Sequence, residues 1–445
     1  MSFSAASLHA VLEDCIPAEA EGLAVALSGG ADSAALLAAA AVLGRSFRNL
    51  PLRAVHVDHG LQAAAADFRK SAQSLCDELK VPLSILAIEV SCEGGSSLEA
   101  AAREARYEAL QQHLKPRECL LTAHHREDQA ETFLLQALRG AGVKGLSAMP
   151  KCREFGPGWH VRPLLDVSGE DLRQFGRALQ RFQSRDPMND DVRFDRVHLR
   201  QEIWPPVVRR WPGAAIALSR AAGHAAEAQL LLDALARADI ERVRDGDELS
   251  VPGLRTLSVE RRANAVRLWL GAQGLEPPPA ARLTEALRQI LEAEEDHQPS
   301  IVWGERALRR YRQRMFVTEA QPPRIDPVDW EVKLGRAVEL GPRLGRLTWT
   351  ARFGGIAAER LPSHVSVRRR DGGETLRAAA AAKTQSLQHL CQEFGVLPWM
   401  RDALPLIFAG DELVAVADMW VQARWRAAEA TPGLGIVWQA GPLMT

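Results

Sequence analysis

The chain runs to 445 residues, 47% hydrophobic and 25% charged, with a formal net charge of −1, which fits a globular protein of several domains at roughly 100–200 residues each. No run of about 18 apolar residues occurs, which excludes a membrane span, and the opening MSFSAASLHAVLEDC lacks the basic-then-apolar order of a secretory signal. The six cysteines, Cys15, Cys76, Cys92, Cys119, Cys152 and Cys391, form no CxxC pair and no zinc-spaced cluster with histidine, so reduced thiols in a cytoplasmic protein are expected.

In chain order, a short amphipathic helix comes first. An apolar strand follows at Leu23–Leu27, then the turn Ser28-Gly29-Gly30-Ala31-Asp32-Ser33 and an Ala/Leu-rich helix. Strands are predicted over Pro51–Gly60, Leu83–Val90, Cys119–His125 and Val161–Leu165, separated by helices ending at Lys80, spanning Ser96–Leu114, and closing at Gly140. This alternation predicts an α/β fold with a doubly wound parallel sheet. Beyond Asp166 the pattern is helical again, and Ser184–Arg200 reads as a polar, Arg-rich loop. Helices at Ile216–Val243, Ser258–Ala272 and Ala280–Ala293 suggest a small helical domain, and Gln321–Asp329 reads as a Pro-rich linker. The remainder reads as an α+β module around a helix at Lys383–Phe394, giving domains at 1–213, 214–320 and 330–445.

A strand, a Gly-rich turn and a helix start together make an anion site, because glycine lets the backbone approach a phosphate and the helix N-terminus offers unpaired N–H groups. Ser28 and Ser33 add hydroxyls. Asp32 would repel phosphate unless it holds Mg²⁺ or accepts an amide hydrogen bond. Neither GxxxxGK[ST] nor GxGxxG is present. Two further polar clusters fall at strand C-termini, where ligands bind in such sheets: His56-Val57-Asp58-His59-Gly60, and Ala123-His124-His125-Arg126-Glu127-Asp128. His56 suits a hydrogen bond near ribose or adenine. Asp128 and Glu131 suit a helix N-terminus as capping acids, and Asp128 also suits Mg²⁺ opposite Asp32. Arg103 and Arg106, three apart on one helix, are solvated residues or a contact to a phosphate.

The turn SGGADS resembles the PP-loop of ATP pyrophosphatases, which cleave ATP between the α- and β-phosphates. With HVDHGLQ, AAREARYEAL, AHHREDQAET, LRGAGVKGLSAM and RPLL, it stands in the order and spacing of tRNA(Ile)-lysidine synthases. DPMNDDVRFDRVHLR (Asp186–Arg200) resembles a later signature of that family, and Arg368–Arg377 with Lys383–Val421 resembles its C-terminal domain. Three positions depart from the pattern: Glu127 where an Asp is usual, Met188 for Ser, and Val197 for Asn.

The resemblance implies ATP and Mg²⁺ as cofactors, a CAU-anticodon isoleucine tRNA and free lysine as partners, a cytoplasmic location and a homodimer. Residue by residue, it implies nucleotide binding by Ser28–Ser33 and His56, with Asp32 and Asp128 on Mg²⁺. It further implies Arg106 on the α-phosphate, and His124 or a carboxylate as base. Asn189, Asp191, Arg196 and Arg200 are expected to contact tRNA or lysine, and Arg368, Arg369 and Arg370 the tRNA. Rival readings are a tRNA thiouridylase, which would need a catalytic cysteine motif; a non-catalytic tRNA-binding module, which would not need SGG and Asp32; and an amidotransferase, which would need a glutaminase domain.

Overall fold

The computed structural model describes residues 3–44, 47–58, 65–88, 98–178, 195–294, 297–321, 323–341, 344–377 and 383–439. Two compact units divide the chain, Met1–Leu232 and Asp233–Thr445.

The first unit alternates α1 (Ala5–Cys15), β1 (Gly22–Ala26), α2 (Ala31–Leu43), β2 (Leu52–Asp58), α3 (Ala65–Leu79), β3 (Leu83–Ala87), α4 (Leu98–His113), β4 (Glu118–Leu121), α5 (Arg126–Leu138), α6 (Val143–Leu146), β5 (Cys152–Phe155), β6 (Gly158–Val161) and α7 (Gly169–Ala178). Strand order is β3-β2-β1-β4-β6-β5. All neighbours are parallel except the β5–β6 hairpin. Side chains alternate across the sheet as strand geometry requires. Leu23, Val25, Cys119 and Leu121 pack in a core with residues of α1, α2, α3 and α7. Ala24, Val55 and Leu120 pack on the other face with Leu110, Leu114 and Phe155.

The order reverses at β1, which has β2 on one side and β4 on the other. The carboxyl ends of β1 and β4 therefore flank a topological switch point, the place where open α/β sheets bind ligands. The predicted doubly wound sheet is present. The last strand lies at Gly158–Val161 rather than Val161–Leu165, because the Gly156–Pro157 turn folds β6 back on the short polar strand β5.

A long helix, Ala214–Val243, runs past the boundary, and the second unit continues with the short strands Arg244–Asp245 and Glu248–Ser250 and helices at Val251–Arg255, Val259–Ala272 and Ala280–Glu292. It also contains an antiparallel sheet, with Ser300–Trp303, Arg306–Tyr311 and Arg314–Glu319 as its main strands, so the segment expected to be helical is mixed. Arg310, 2% exposed, explains how an Arg-rich strand is buried: its guanidinium caps the C-terminal end of Ala280–Glu292 by donating to the Ile290 and Ala293 carbonyls. The C-terminal module is α+β. A five-stranded antiparallel sheet and a three-stranded one share a core in which Trp330 and Trp349 stack at 4.2 Å, and the helix Leu387–Glu393 lies within the predicted span. Among the described residues no helix is long and apolar enough to cross a membrane.

Candidate active site

The loop after β1 is closed on itself. The Ser33 hydroxyl donates to the Gly30 carbonyl (2.9 Å) and accepts from the Ser28 amide (3.2 Å), while the Ser28 and Ser33 hydroxyls lie 3.1 Å apart. Gly29 has φ +85°, and a Cβ there would stand 2.7 Å from the Phe68 ring, so the turn requires glycine twice over. Gly30 caps α2 without a side-chain hydrogen bond to the helix amides, which leaves the first turn, Ala31-Asp32-Ser33, open to an anion. His56 is 4% exposed, and its Nδ1 donates to the Leu27 carbonyl at 2.8 Å. It braces the strand end that feeds the loop. Asp58, at the end of β2, pairs with Arg69.

Across the switch point, His125 caps α5 amid three carboxylates. Its Nδ1 lies 2.9 Å from Glu127, and its Nε2 lies 3.5 Å from Asp128 and 3.7 Å from Asp32. This contact joins the β1 loop to the β4 end. Burial disfavours the imidazolium, but Glu127, Asp128 and Asp32 outweigh it and raise the His125 pKa. Asp32 is 40% exposed at its side chain, and partial desolvation raises its carboxyl despite His125. Glu127 also accepts from the Gly169 amide at 2.8 Å. A Cβ on Gly169 would come within 3.2 Å of the His125 ring.

Behind His125, Asp128 and Glu131 receive two arginines. Arg196 donates to Asp128 (3.0 Å) and Glu131 (3.1 Å), and Arg200 donates to Asp128 (2.9 Å) and, as a fork, to both Glu131 oxygens (2.8 and 2.7 Å). Arg200 stands in a π-helical turn, Leu199–Ile203, which follows the α-helical turn bearing Arg196 and brings both guanidiniums onto α5. Burial opposes the Asp128 charge, but His125, Arg196 and His124 hold its pKa down at about 2. Next to it, His124 is pushed down to about 3, chiefly by burial. Its Nδ1 lies 2.9 Å from the Thr122 hydroxyl.

Three family models match the chain in sequence order: a PP-loop domain over 3–207, a TilS substrate binding domain over 249–316 and a TilS substrate C-terminal domain over 365–438. The tRNA(Ile)-lysidine synthase of Alkalilimnicola ehrlichii is 42% identical over 412 residues, covering 92% of each chain. That of Coxiella burnetii is 39% identical over 88% of this chain and 87% of its own. The chain belongs to the tRNA(Ile)-lysidine synthase family. The protein from Pseudomonas aeruginosa is 40% identical over 90% of each chain. Among solved structures, the chain resembles a TilS C-terminal domain (14% identity, 26% of this chain and 98% of that one, TM-score 0.21) and a U34-tRNA thiolase from Methanococcus maripaludis (15% identity, 49% and 77%, TM-score 0.40).

Within this family member, the structure brings together Ser28–Ser33, Asp32, His124, His125, Asp128, Arg196 and Arg200. It changes several individual expectations. Asp128 has little left to offer a metal, because Oδ1 takes both arginines and Oδ2 takes the His125 amide. Among the described residues no group of three or more His, Cys, Asp or Glu side chains is arranged to hold a metal ion. Burial holds the His124 pKa well below the ordinary imidazole value, which disfavours its taking up a proton. Arg196 and Arg200 grip α5 carboxylates.

Arg106 lies half-buried on α4. Asn189 and Asp191 fall outside the described residues. In the C-terminal module, Arg368 donates to Ser366 and to the Gly410 carbonyl and packs over Phe408, while Arg370 faces Glu374 at 3.5 Å. Arg369, half-exposed and 3.8 Å from Asp371, is the most open of the three. From sequence, His125 stood only in the strand-end cluster, Glu131 only as a helix-start acid and Arg162 only within RPLL, while Thr122 and His160 were given no role. The only sequence trace of His160 and Arg162 is the HVRPLL run leading out of β6.

Proposed function

We propose that this chain joins lysine to carbon-2 of the wobble cytidine of a CAU-anticodon isoleucine tRNA, forming lysidine at the expense of ATP. The observation that carries the reading is the conjunction of a PP-loop at the switch point with substrate-binding and C-terminal modules that match the family in order.

In the first step the cytosine carbon-2 oxygen attacks the α-phosphorus and pyrophosphate leaves. In the second the lysine ε-amine attacks carbon-2, and AMP departs with that oxygen. The open amides of the first turn, Ala31–Ser33, and the Ser28 and Ser33 hydroxyls suit the leaving pyrophosphate. Arg106 is proposed to face the α-phosphate. Mg²⁺ takes one or two carboxylates plus phosphate oxygens, and Asp32, the most exposed of the three acids around His125, fits that role. Bound there, the ion would neutralise charge on the phosphates. Arg196 and Arg200 fix Asp128 and Glu131 on α5, and His125 joins that end of the helix to the loop. The incoming lysine must lose a proton to attack, and a carboxylate of the cluster or water is proposed to take it. Asn189, Asp191, Arg369 and, through its neighbours, Arg368 are proposed contacts to tRNA or lysine. A cytoplasmic location and a homodimeric state belong to the same reading, and sedimentation of the purified chain tests the latter.

The order of steps is tested with α-labelled ATP. AMP and pyrophosphate release is expected to need the isoleucine tRNA. ATP–pyrophosphate exchange driven by lysine alone, without tRNA, would show that lysine rather than the base is adenylated.

A further inference from the structure

Beneath His124 lies a chain of hydrogen bonds that the reaction scheme does not use. Register pairs Leu120 of β4 with His160 of β6, which places the His160 ring under the β4 end. His160 is wholly buried, with Tyr107 and Phe155 rings 5.6 and 5.5 Å away. Arg162 Nη2 lies 3.1 Å from His160 Nδ1, His160 Nε2 lies 2.9 Å from Thr122 Oγ1, and Thr122 Oγ1 lies 2.9 Å from His124 Nδ1. Arg162 also donates to the Pro150 carbonyl at 2.9 Å, which holds its guanidinium in place.

The direction of each bond follows from donor and acceptor inventory. A guanidinium only donates, so His160 Nδ1 must carry a lone pair. The His160 proton is therefore on Nε2 and is given to Thr122 Oγ1. Thr122 is 7% exposed, and these two imidazoles are its hydroxyl's partners. If His124 also donated to it, the hydroxyl hydrogen would be buried without an acceptor, an arrangement native proteins avoid. The hydroxyl must instead donate to His124 Nδ1. That leaves His124 neutral, with its one proton on Nε2, and Nε2 has no partner among the described residues.

We infer that Thr122, His160 and Arg162 are positioning residues that fix His124 as a neutral Nε2–H donor at the switch point, so that His124 gives a hydrogen bond to an acceptor oxygen of the bound substrates and does not abstract a proton. The charged groups facing His124 are Asp128, Arg162, Arg196 and Arg103. Of these, Arg162 reaches it through the relay. The acceptor is a phosphate oxygen of the nucleotide or the carbonyl oxygen of the base. The inference rests on the lysidine-forming reading only for the identity of that oxygen, because the tautomer is a property of the chain alone.

The test is nitrogen-15 NMR of the histidine-labelled full chain, with His124 and His160 assigned by substitution, alongside steady-state kinetics. Both rings are expected to show Nε2–H with an unprotonated Nδ1 at neutral pH. Nδ1–H or imidazolium at His124 would overturn the proposal even if lysidine formation is intact. Failed lysidine formation with the expected tautomers would instead sink the functional reading alone. A shift of the His124 Nε2 proton on adding a non-hydrolysable ATP analogue assigns the acceptor to the nucleotide, and a shift that waits for tRNA assigns it to the base. Loss of that proton in either complex refutes donation.

Among variants, Thr122→Val removes the link at constant shape and is expected to lower kcat about tenfold or more, with KM for ATP within about twofold. Thr122→Ser retains the hydroxyl and is expected to recover most of the rate. At His160 a purely packing role favours Leu among the neighbouring aromatic rings, whereas the relay favours Gln, whose amide nitrogen donates to Thr122. His160→Gln outperforming His160→Leu in kcat supports the relay, and the reverse order overturns it. If one of these fails to fold, the tautomer of the unaltered chain still decides.

Discussion

Gly29→Ala tests the loop geometry most sharply. The residue sits at φ +85°, a region that costs an L-residue about 1–2 kcal/mol. The new methyl would also stand 2.7 Å from the Phe68 ring, and turning that side chain off its rotamer costs about 0.5–1.5 kcal/mol. The sum, roughly 2–3 kcal/mol, corresponds to a Tm lower by about 5–10 °C for a unit of this size. Because the same turn offers amides to the leaving group, KM for ATP should rise about tenfold or more, as expected for about 1.4 kcal/mol of lost binding. Adding Phe68→Ala should return only the steric share of the penalty and leave the backbone share. Calorimetry and ATP-dependent AMP release measure both quantities. A Gly29→Ala chain with unchanged Tm and unchanged KM would refute the account of the loop, and full rescue by Phe68→Ala would show that φ contributes nothing.

Three further outcomes are expected. Glu131→Gln breaks a buried carboxylate's pairing with Arg196 and Arg200. Because Arg200 is 44% exposed and water can take over part of its hydrogen bonding, the loss should be about 2–3 kcal/mol rather than the upper end for a buried pair, and chemical denaturation giving under about 0.5 kcal/mol would contradict the network. Asp32→Asn should raise the Mg²⁺ concentration needed for half-maximal rate by about tenfold or more, and an unchanged Mg²⁺ dependence would remove Asp32 as a ligand. Glu118 is paired with Arg53 at 2.6 and 2.7 Å and accepts the Lys115 amide. Burial alone would raise its pKa, but these donors pull it below the ordinary glutamate value. Its contribution is therefore complete above about pH 4.3 and is lost as pH falls further, through the folded-state pKa. The stability gap between the unaltered chain and Glu118→Gln should close over that acid range, and a gap that stays constant would contradict the shift.

The sequence showed contiguous features and hid those made by register. The PP-loop, the His124–Asp128 run and the parallel sheet were legible because each is local: an apolar run, a glycine turn, a helix start. β5 was not, since Cys152–Phe155 is short and half polar. The strand Arg306–Tyr311 was not, because its arginines disguise a buried pattern that only the helix end above Arg310 accounts for. Arg196 and Arg200 were visible as a signature, but their partners were not, since Glu131 lies 65 and 69 residues away in sequence. The Thr122–His160 contact needs the β4–β6 pairing, which no pattern in one strand reveals.

The central claim is tested most directly by incubating the full chain with ATP, Mg²⁺ and labelled lysine, in parallel with CAU-anticodon isoleucine tRNA and with methionine tRNA bearing the same anticodon. The account predicts label bound to the wobble cytidine of the isoleucine tRNA alone, with one AMP released per lysine incorporated. Label in neither tRNA, or a modified base without lysine, would contradict it.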